Sequence, residues 1–164
     1  MTIAESLVAK FDRETMITRR LIERIPLEKL DWRPHPKSTT MSGLGRHLAH
    51  MIAWAPVALT TAEFDVSARQ PMPATTSVDD ILAIYDANVA ATRSLIRDKT
   101  DDELRSEWVL TAGGRQLIRL TKAEVISSMV LHHLIHHRGQ LSVYLRLNDV
   151  PVPAIYGPSA DEPM

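Results

Sequence analysis

Histidine is the residue type in this sequence whose number and spacing point to chemistry. Seven are present, and six fall in two segments: His47 and His50 in the first, His132, His133, His136 and His137 in the second. Neutral imidazole is a common ligand for first-row divalent metals, so clustered histidines raise the question of a metal site. In Leu131-His132-His133-Leu134-Ile135-His136-His137, both His132/His136 and His133/His137 are four residues apart. Each pair is then about 40° apart around a helix and can chelate one ion. Spacing alone leaves the two pairs equal.

Helical phase separates them. At about 100° per residue, His133 and His137 share a stripe with Ile126, Met129, Val130 and Tyr144, a face suited to a core. His132 and His136 lie roughly 100° around from it. There, near Val125 and Val143, water or a partner chain is the expected neighbour. In the earlier segment His47 shares its face with Leu44, Met51, Trp54 and Ala58, while His50 is offset toward Arg46 and Val57. His47, His133 and His137 are therefore the expected inward trio. Three neutral imidazoles are costly to bury without partners, and a divalent ion satisfies all three while leaving coordination positions open. A bound ion of that kind lowers the pKa of a water or thiol, so the site suits either hydrolysis or thiol transfer.

Other side chains near this site are weaker candidates. Tyr144 lies about two turns from His137 on the same stripe and can aim a hydroxyl at the site, although a core aromatic is the plainer reading. Gln140 can orient a ligand or satisfy a neighbouring backbone group. Tyr85 and Asn88 are expected to line the pocket, and Trp32 and Trp54 to anchor the core. Arg138 points away from the His133/His137 stripe and reads as a solvated or interface charge. No Asp or Glu is placed as a general base, which hydrolysis normally wants, whereas thiol transfer needs only a deprotonated thiol.

Several alternatives are excluded by what is missing. There is no H-E-x-x-H, as a zincin protease needs, and no Glu stands three residues before a histidine, as di-iron bundles require. With no cysteine, disulfides, thiolate ligands, iron–sulfur clusters and C-x-x-C-H haem attachment are all ruled out. Lys and Arg number 19 against 20 Asp and Glu, a net charge of -1, so the electrostatic footprint of a nucleic-acid binder is missing. Leu48 to Leu59 is the longest nearly apolar stretch, well short of the roughly 20 residues of a membrane-spanning helix. The mixed charges Glu5, Lys10, Asp12, Arg13 and Glu14 do not read as a secretory signal, so a cytoplasmic protein is expected.

The elements that must position the histidines are helical. Apolar residues recur at three- and four-residue spacing through four long segments, and 45% of the chain is hydrophobic, enough for one core. The first helix is expected from about Ile3 to Ile25, ended by Pro26. An ordered loop with Pro26, Pro34 and Pro36 follows to about Thr40. Ser38 to Ser42 offer N-cap hydroxyls for a second helix through His47 and Trp54 toward Phe64, kinked at Pro56 and closed by Pro71 and Pro73. Thr76 or Ser77 caps a third, with Ile81, Leu82, Tyr85, Val89, Thr92 and Ile96 on one face and Asp79 and Asp80 in the first turn. Between Thr100 and Thr121, Trp108-Val109-Leu110 and Leu117-Ile118 flank Gly113-Gly114 and can fold as a short hairpin. Thr121 and Glu124 form a capping box for a fourth helix, Lys122 to about Leu147, ended by Asn148 and Pro151. The expected architecture is an all-α four-helix bundle in a single domain spanning 1–164. It has a long second loop and a possible hairpin before the last helix. Leu131 and Ile135 are expected to be covered by another element or a second subunit.

Trp32-Arg33-Pro34, Gly45-Arg46-His47-Leu48-Ala49-His50, His133-Leu134-Ile135-His136-His137-Arg138-Gly139-Gln140 and the closing Pro151-Val152-Pro153 to Tyr156-Gly157-Pro158 together resemble the DinB family. That resemblance implies a four-helix bundle, commonly a homodimer, with a divalent ion such as zinc or nickel on His47, His133 and His137. Some relatives are thiol-dependent transferases or isomerases that use bacterial low-molecular-weight thiols, and many have no assigned reaction. The expected function is therefore a metal-dependent hydrolase or thiol transferase acting on a small molecule. The alternative is a non-catalytic metal- or ligand-binding dimer whose ion is structural, closed by a fourth protein ligand.

Overall fold

The computed structural model of the chain describes residues 1–68 and 77–163. Helix α1 (Ile3–Ile22) opens on a capping box: Thr2 Oγ1 accepts from the Glu5 amide, and the Glu5 carboxylate accepts from the Thr2 amide. Its last turn tightens, with the Arg24 and Ile25 amides donating to Leu21 and Ile22, before Pro26 and a 3-10 turn, Leu27–Lys29. The proline-rich loop is ordered as expected, because the Met41 and Ser42 amides donate back to the Trp32 and Leu30 carbonyls.

The second helical segment differs from its expectation. Helix α2 (Met41–Met51), capped by Thr40, stops there, and α3 (Trp54–Thr60) starts afresh. The chain breaks at Ile52–Ala53 instead of kinking at Pro56. Pro56 is the third residue of α3, inside the first turn, where its missing N–H deprives the helix of nothing. Phe64 is not helical but lies in strand β1 (Glu63–Asp65). Pro71, Pro73 and Thr76 lie outside the described residues. Ser77 caps α4 (Val78–Arg97), its Oγ accepting from the Asp80 amide at 3.0 Å.

After α5 (Asp101–Arg105) the expected hairpin forms, β2 (Glu107–Ala112) pairing antiparallel with β3 (Arg115–Thr121). Gly113 and Gly114 have φ of 56° and 79°, the left-handed backbone that a two-residue hairpin turn needs and that glycine adopts without penalty. Among the described residues β1 adds a third strand, parallel to β2. The Asp65 carboxylate ties β1 to the turn by accepting from the Ser67, Gly113 and Gly114 amides, which holds it below the usual carboxylate range. The Thr121/Glu124 capping box then opens α6 (Lys122–Glu124), which runs through a π-helical segment, Val125–His132, into α7 (His133–Arg146).

Helix α1 packs against α4 and α7, and α2 packs against the same two, so the four close a ring. Inside it lie Leu7, Phe11, Leu21, Leu44, Leu48, Ile81, Ile126 and Leu141. The all-α expectation holds for this ring and fails for the sheet, which has its own apolar cluster. Trp108, Leu110 and Val125 pack there with Ala58 of α3. Full burial of a side chain as large as Trp108 stabilises by about 2–3 kcal/mol, reason enough for a small sheet to stay docked. Val125, expected near water, is fully buried because the π-helical segment turns it toward Trp108. No helix among the described residues is long and apolar enough to cross a membrane.

Candidate metal centre

Buried leucines set the phase of both helices that carry the histidines. Leu44, Leu48 and Met51 bury one face of α2, and Leu134, Leu141 and Leu145 bury α7. At the edges of these faces His47, His133 and His137 are half-buried and meet. His47 Nε2 lies 3.4 Å from His133 Nε2, and His137 Nε2 lies 2.8 Å from His133 Nε2. The rings of His47 and His137 stand nearly perpendicular, with centroids 4.4 Å apart. Three Nε2 atoms thus point at one volume. A tetrahedral ion with bonds of about 2.0–2.1 Å sets its nitrogens roughly 3.3–3.4 Å apart, which the His47–His133 pair already matches and the His133–His137 pair reaches by a small opening.

Proton placement favours the same chemistry. Gln140 Oε1 sits 2.7 Å from His137 Nδ1, and Gln140 Nε2 sits 3.2 Å from His136 Nε2. An amide oxygen can only accept, so this contact is a hydrogen bond in the His137 tautomer protonated on Nδ1, the one that presents a lone pair at Nε2. Burial holds His133 below the usual histidine value, the neighbouring His137 adds to this, and a hydrogen bond to the Met129 backbone opposes it. Burial also lowers His137, against the Gln140 hydrogen bond. Both rings are thereby biased to the neutral form that a metal requires. Three neutral imidazoles with converging lone pairs cannot all satisfy one another by hydrogen bonds, and this donor set fits a divalent cation. Among the described residues no Asp or Glu joins the cluster.

The remaining histidines stand apart. His132 and His136 are exposed, although the His136 ring is 4.9 Å from that of His137. His50 lines a cleft with Ala53, Trp54, Val57 and Phe64. Tyr144 is buried, edge-on to Trp32 at 5.5 Å, with its hydroxyl donating to the Thr39 carbonyl at 3.4 Å. Tyr85 donates to the Thr15 carbonyl, and Asn88 donates to the Ala49 carbonyl. These two therefore tie α4 to α1 and α2. Burial pushes the Tyr85 phenol far above its ordinary value, in keeping with a structural hydroxyl.

The sequence reading of Arg138 is overturned. Its side chain is only 1% exposed, and it forms an ion pair with Glu14 at 2.8 Å. It also donates to the Glu14 carbonyl, Thr18 Oγ1 and the Tyr156 hydroxyl, and its guanidinium lies 5.0 Å from the centre of the Tyr156 ring. Tyr156 in turn donates to Glu14 Oε2 at 2.7 Å. One residue after His137, this network pins α7 to α1 and to the C-terminal tail. Helix α1 also lies against Leu131, which is buried, and Ile135, which is half-buried. A signal was present: Glu14 shares the buried stripe of Leu7, Phe11, Thr18 and Leu21, and an acid on a buried face needs a cation.

Known proteins share this fold. A DinB-like protein from Bacillus cereus ATCC 10987 superposes with a TM-score of 0.73 at 20% identity, covering 93% of this chain and 97% of that one. A DinB-like protein from Bacillus subtilis gives 0.70 at 19% identity, covering 97% and 99%. In sequence, the uncharacterized protein YrdA of Bacillus subtilis (strain 168) is 26% identical, with 96% of this chain and 90% of that protein covered. The DinB family profile matches residues 1–164 throughout, and the chain belongs to the DinB family.

Proposed function

We propose that this protein is a metal-dependent enzyme whose single divalent ion, zinc or nickel, is held by His47, His133 and His137. The reading takes it to act on a small molecule, as a homodimer in the cytoplasm. The observation that carries this reading is the convergence of three Nε2 atoms with no fourth protein ligand beside them among the described residues. A structural ion would want a closed tetrahedron, so the arrangement favours catalysis. When bound, the ion would supply Lewis acidity and lower the pKa of a water or thiol.

The chain's own residues set the rest. Gln140 holds His137 in the ligating tautomer, and the Arg138–Glu14 pair holds α7 in the phase that points His133 and His137 inward. Among the described residues no carboxylate joins the trio to take a proton from water. That supports thiol transfer with a low-molecular-weight thiol over hydrolysis, because a thiol is acidic enough to enter without a dedicated base.

Elemental analysis of protein purified without a histidine tag tests the reading. About one divalent ion per chain is expected, lost in His47→Ala and His133→Ala and kept in His132→Ala. Absence of stoichiometric metal after reconstitution with zinc and with nickel would refute it, and so would equal losses in His132→Ala and His133→Ala. Light scattering checks the dimer, and turnover with thiol acceptors against ester and amide substrates separates the two chemistries.

A further inference from the structure

Helix α3 starts three residues after the last residue of α2 and opens a cleft that the metal reading leaves unused. Its walls are His50, Ala53, Trp54, Val57 and Phe64, and its volume is about 110 Å³. His50 is one turn along α2 from His47, a rise of about 4.5 Å. Met129, whose backbone hydrogen-bonds to His133, packs into the same cluster as Trp54, Val57 and Phe64. The cleft is therefore one helical turn from His47 along α2, and its apolar walls share a cluster with a residue that contacts His133.

Its lining is apolar apart from His50. Trp54 stands edge-on to Phe64 at 5.8 Å and to Trp108 at 6.4 Å, and Trp108 is fixed by donating its Nε1 hydrogen to Thr61. The break between α2 and α3 places the small Ala53 on the wall, where a larger side chain would fill the space. A cavity of roughly 150 Å³ accommodates benzene, so the cleft is on the scale of one phenyl ring. Four further cavities lie along α1 and α4, between α1 and the π-helical segment, or beside α7 and the C-terminal tail, and none of these four is lined by α2 or α3.

We infer that this cleft receives a phenyl-sized apolar group of the substrate while the reacting end of the molecule lies at His47, His133 and His137. The substrate class is a small molecule whose reactive or thiol-bearing carbon is within a bond or two of an aromatic or compact branched substituent. This rests on the proposed metal site for the position of the reacting end, and on the cleft alone for the apolar group. His50, at the boundary, is placed to contact the linking atoms.

Two probes keep these parts distinct. Benzyl alcohol, titrated against metal-free protein and read by tryptophan fluorescence, should give a saturable change in wild type and in His133→Ala. It should bind at least about tenfold more weakly to Ala53→Leu and Val57→Phe, which fill the cleft from two positions. Thermal melts of these variants confirm that they fold. Benzyl mercaptan should bind metal-loaded wild type at least about tenfold tighter than ethanethiol, and Ala53→Leu should erase that preference. If the metal reading fails, the benzyl alcohol result still stands. No saturable response in wild type, or one unchanged in both folded cleft variants, overturns the inference whatever the metal content.

Discussion

Replacing Arg138 with Met should lower stability by about 3–5 kcal/mol, the usual result of removing one partner from a buried ion pair. The guanidinium makes four polar contacts: the Glu14 carboxylate at 2.8 Å, the Glu14 carbonyl at 3.1 Å, Thr18 Oγ1 at 3.3 Å and the Tyr156 hydroxyl at 2.7 Å. Methionine retains an unbranched stem that can fill the same channel, so the loss is chiefly electrostatic. What remains is a Glu14 side chain 11% exposed with only the Tyr156 hydroxyl to stabilise its charge. For a domain of this size each kcal/mol moves Tm by about 2–4 °C, so the expected drop is roughly 6–20 °C. Thermal unfolding followed by circular dichroism, on metal-free protein at pH 7, measures it. Glu14→Gln combined with Arg138→Met removes the stranded charge, and the double variant should be more stable than the two single effects summed, by about 1–3 kcal/mol. A drop of under about 2 °C in Arg138→Met, or strict additivity in the double variant, would refute the assignment of this network as the anchor of α7.

Three further outcomes follow from the same contacts. His133 and His137 are held below the ordinary histidine value of 6.5, so as pH falls the unfolded chain takes up protons first. Metal-free protein should therefore lose stability as pH drops through 6.5 toward the native values and gain nothing more from these groups well above it. Melts between pH 8 and 5, on the order of one unit apart, should show a shallower slope in His133→Gln. Gln140→Leu removes the partner of His137 Nδ1 and should weaken metal affinity by about 10–100-fold with the melt of the metal-free protein little changed, as titration against a competing chelator would show. Gly114→Ala places a Cβ on a backbone with φ of 79° and should destabilise by about 1–2 kcal/mol, read as a lower urea midpoint, although nothing lies close enough to clash.

Much of this molecule is readable locally because caps, turns and periodicity act within a few residues. Thr2, Ser77 and Thr121 start helices by accepting amide hydrogens three residues on, and Gly113-Gly114 can turn left-handed with no help from the rest of the chain. The phase of His133 and His137 is equally local, since their four-residue spacing lies wholly within α7. It survives the π-helical segment because that segment ends at His132. Other features depend on partners distant in sequence. Glu63-Phe64-Asp65 is too short to show a strand period and becomes a strand only because β2 offers a parallel edge at Val109 to Thr111. Arg138 has the hydrophilicity of a surface residue and is buried only because Glu14, 124 residues away in the chain, waits on α1.

By itself the sequence determined which residues could be helical, where the capped helices start, and which histidines share a helix face. Tertiary structure alone decided that α2 and α7 lie side by side, so that His47 Nε2 comes within 3.4 Å of His133 Nε2. It also decided that the chain breaks before Trp54 and that a small sheet packs its Trp108 against Ala58 of α3. The physical reason is the range of the forces involved: a hydrogen-bonded cap or a helical stripe is settled within a turn or two, whereas the pairing of two stripes is settled by apolar surface the whole chain must bury at once.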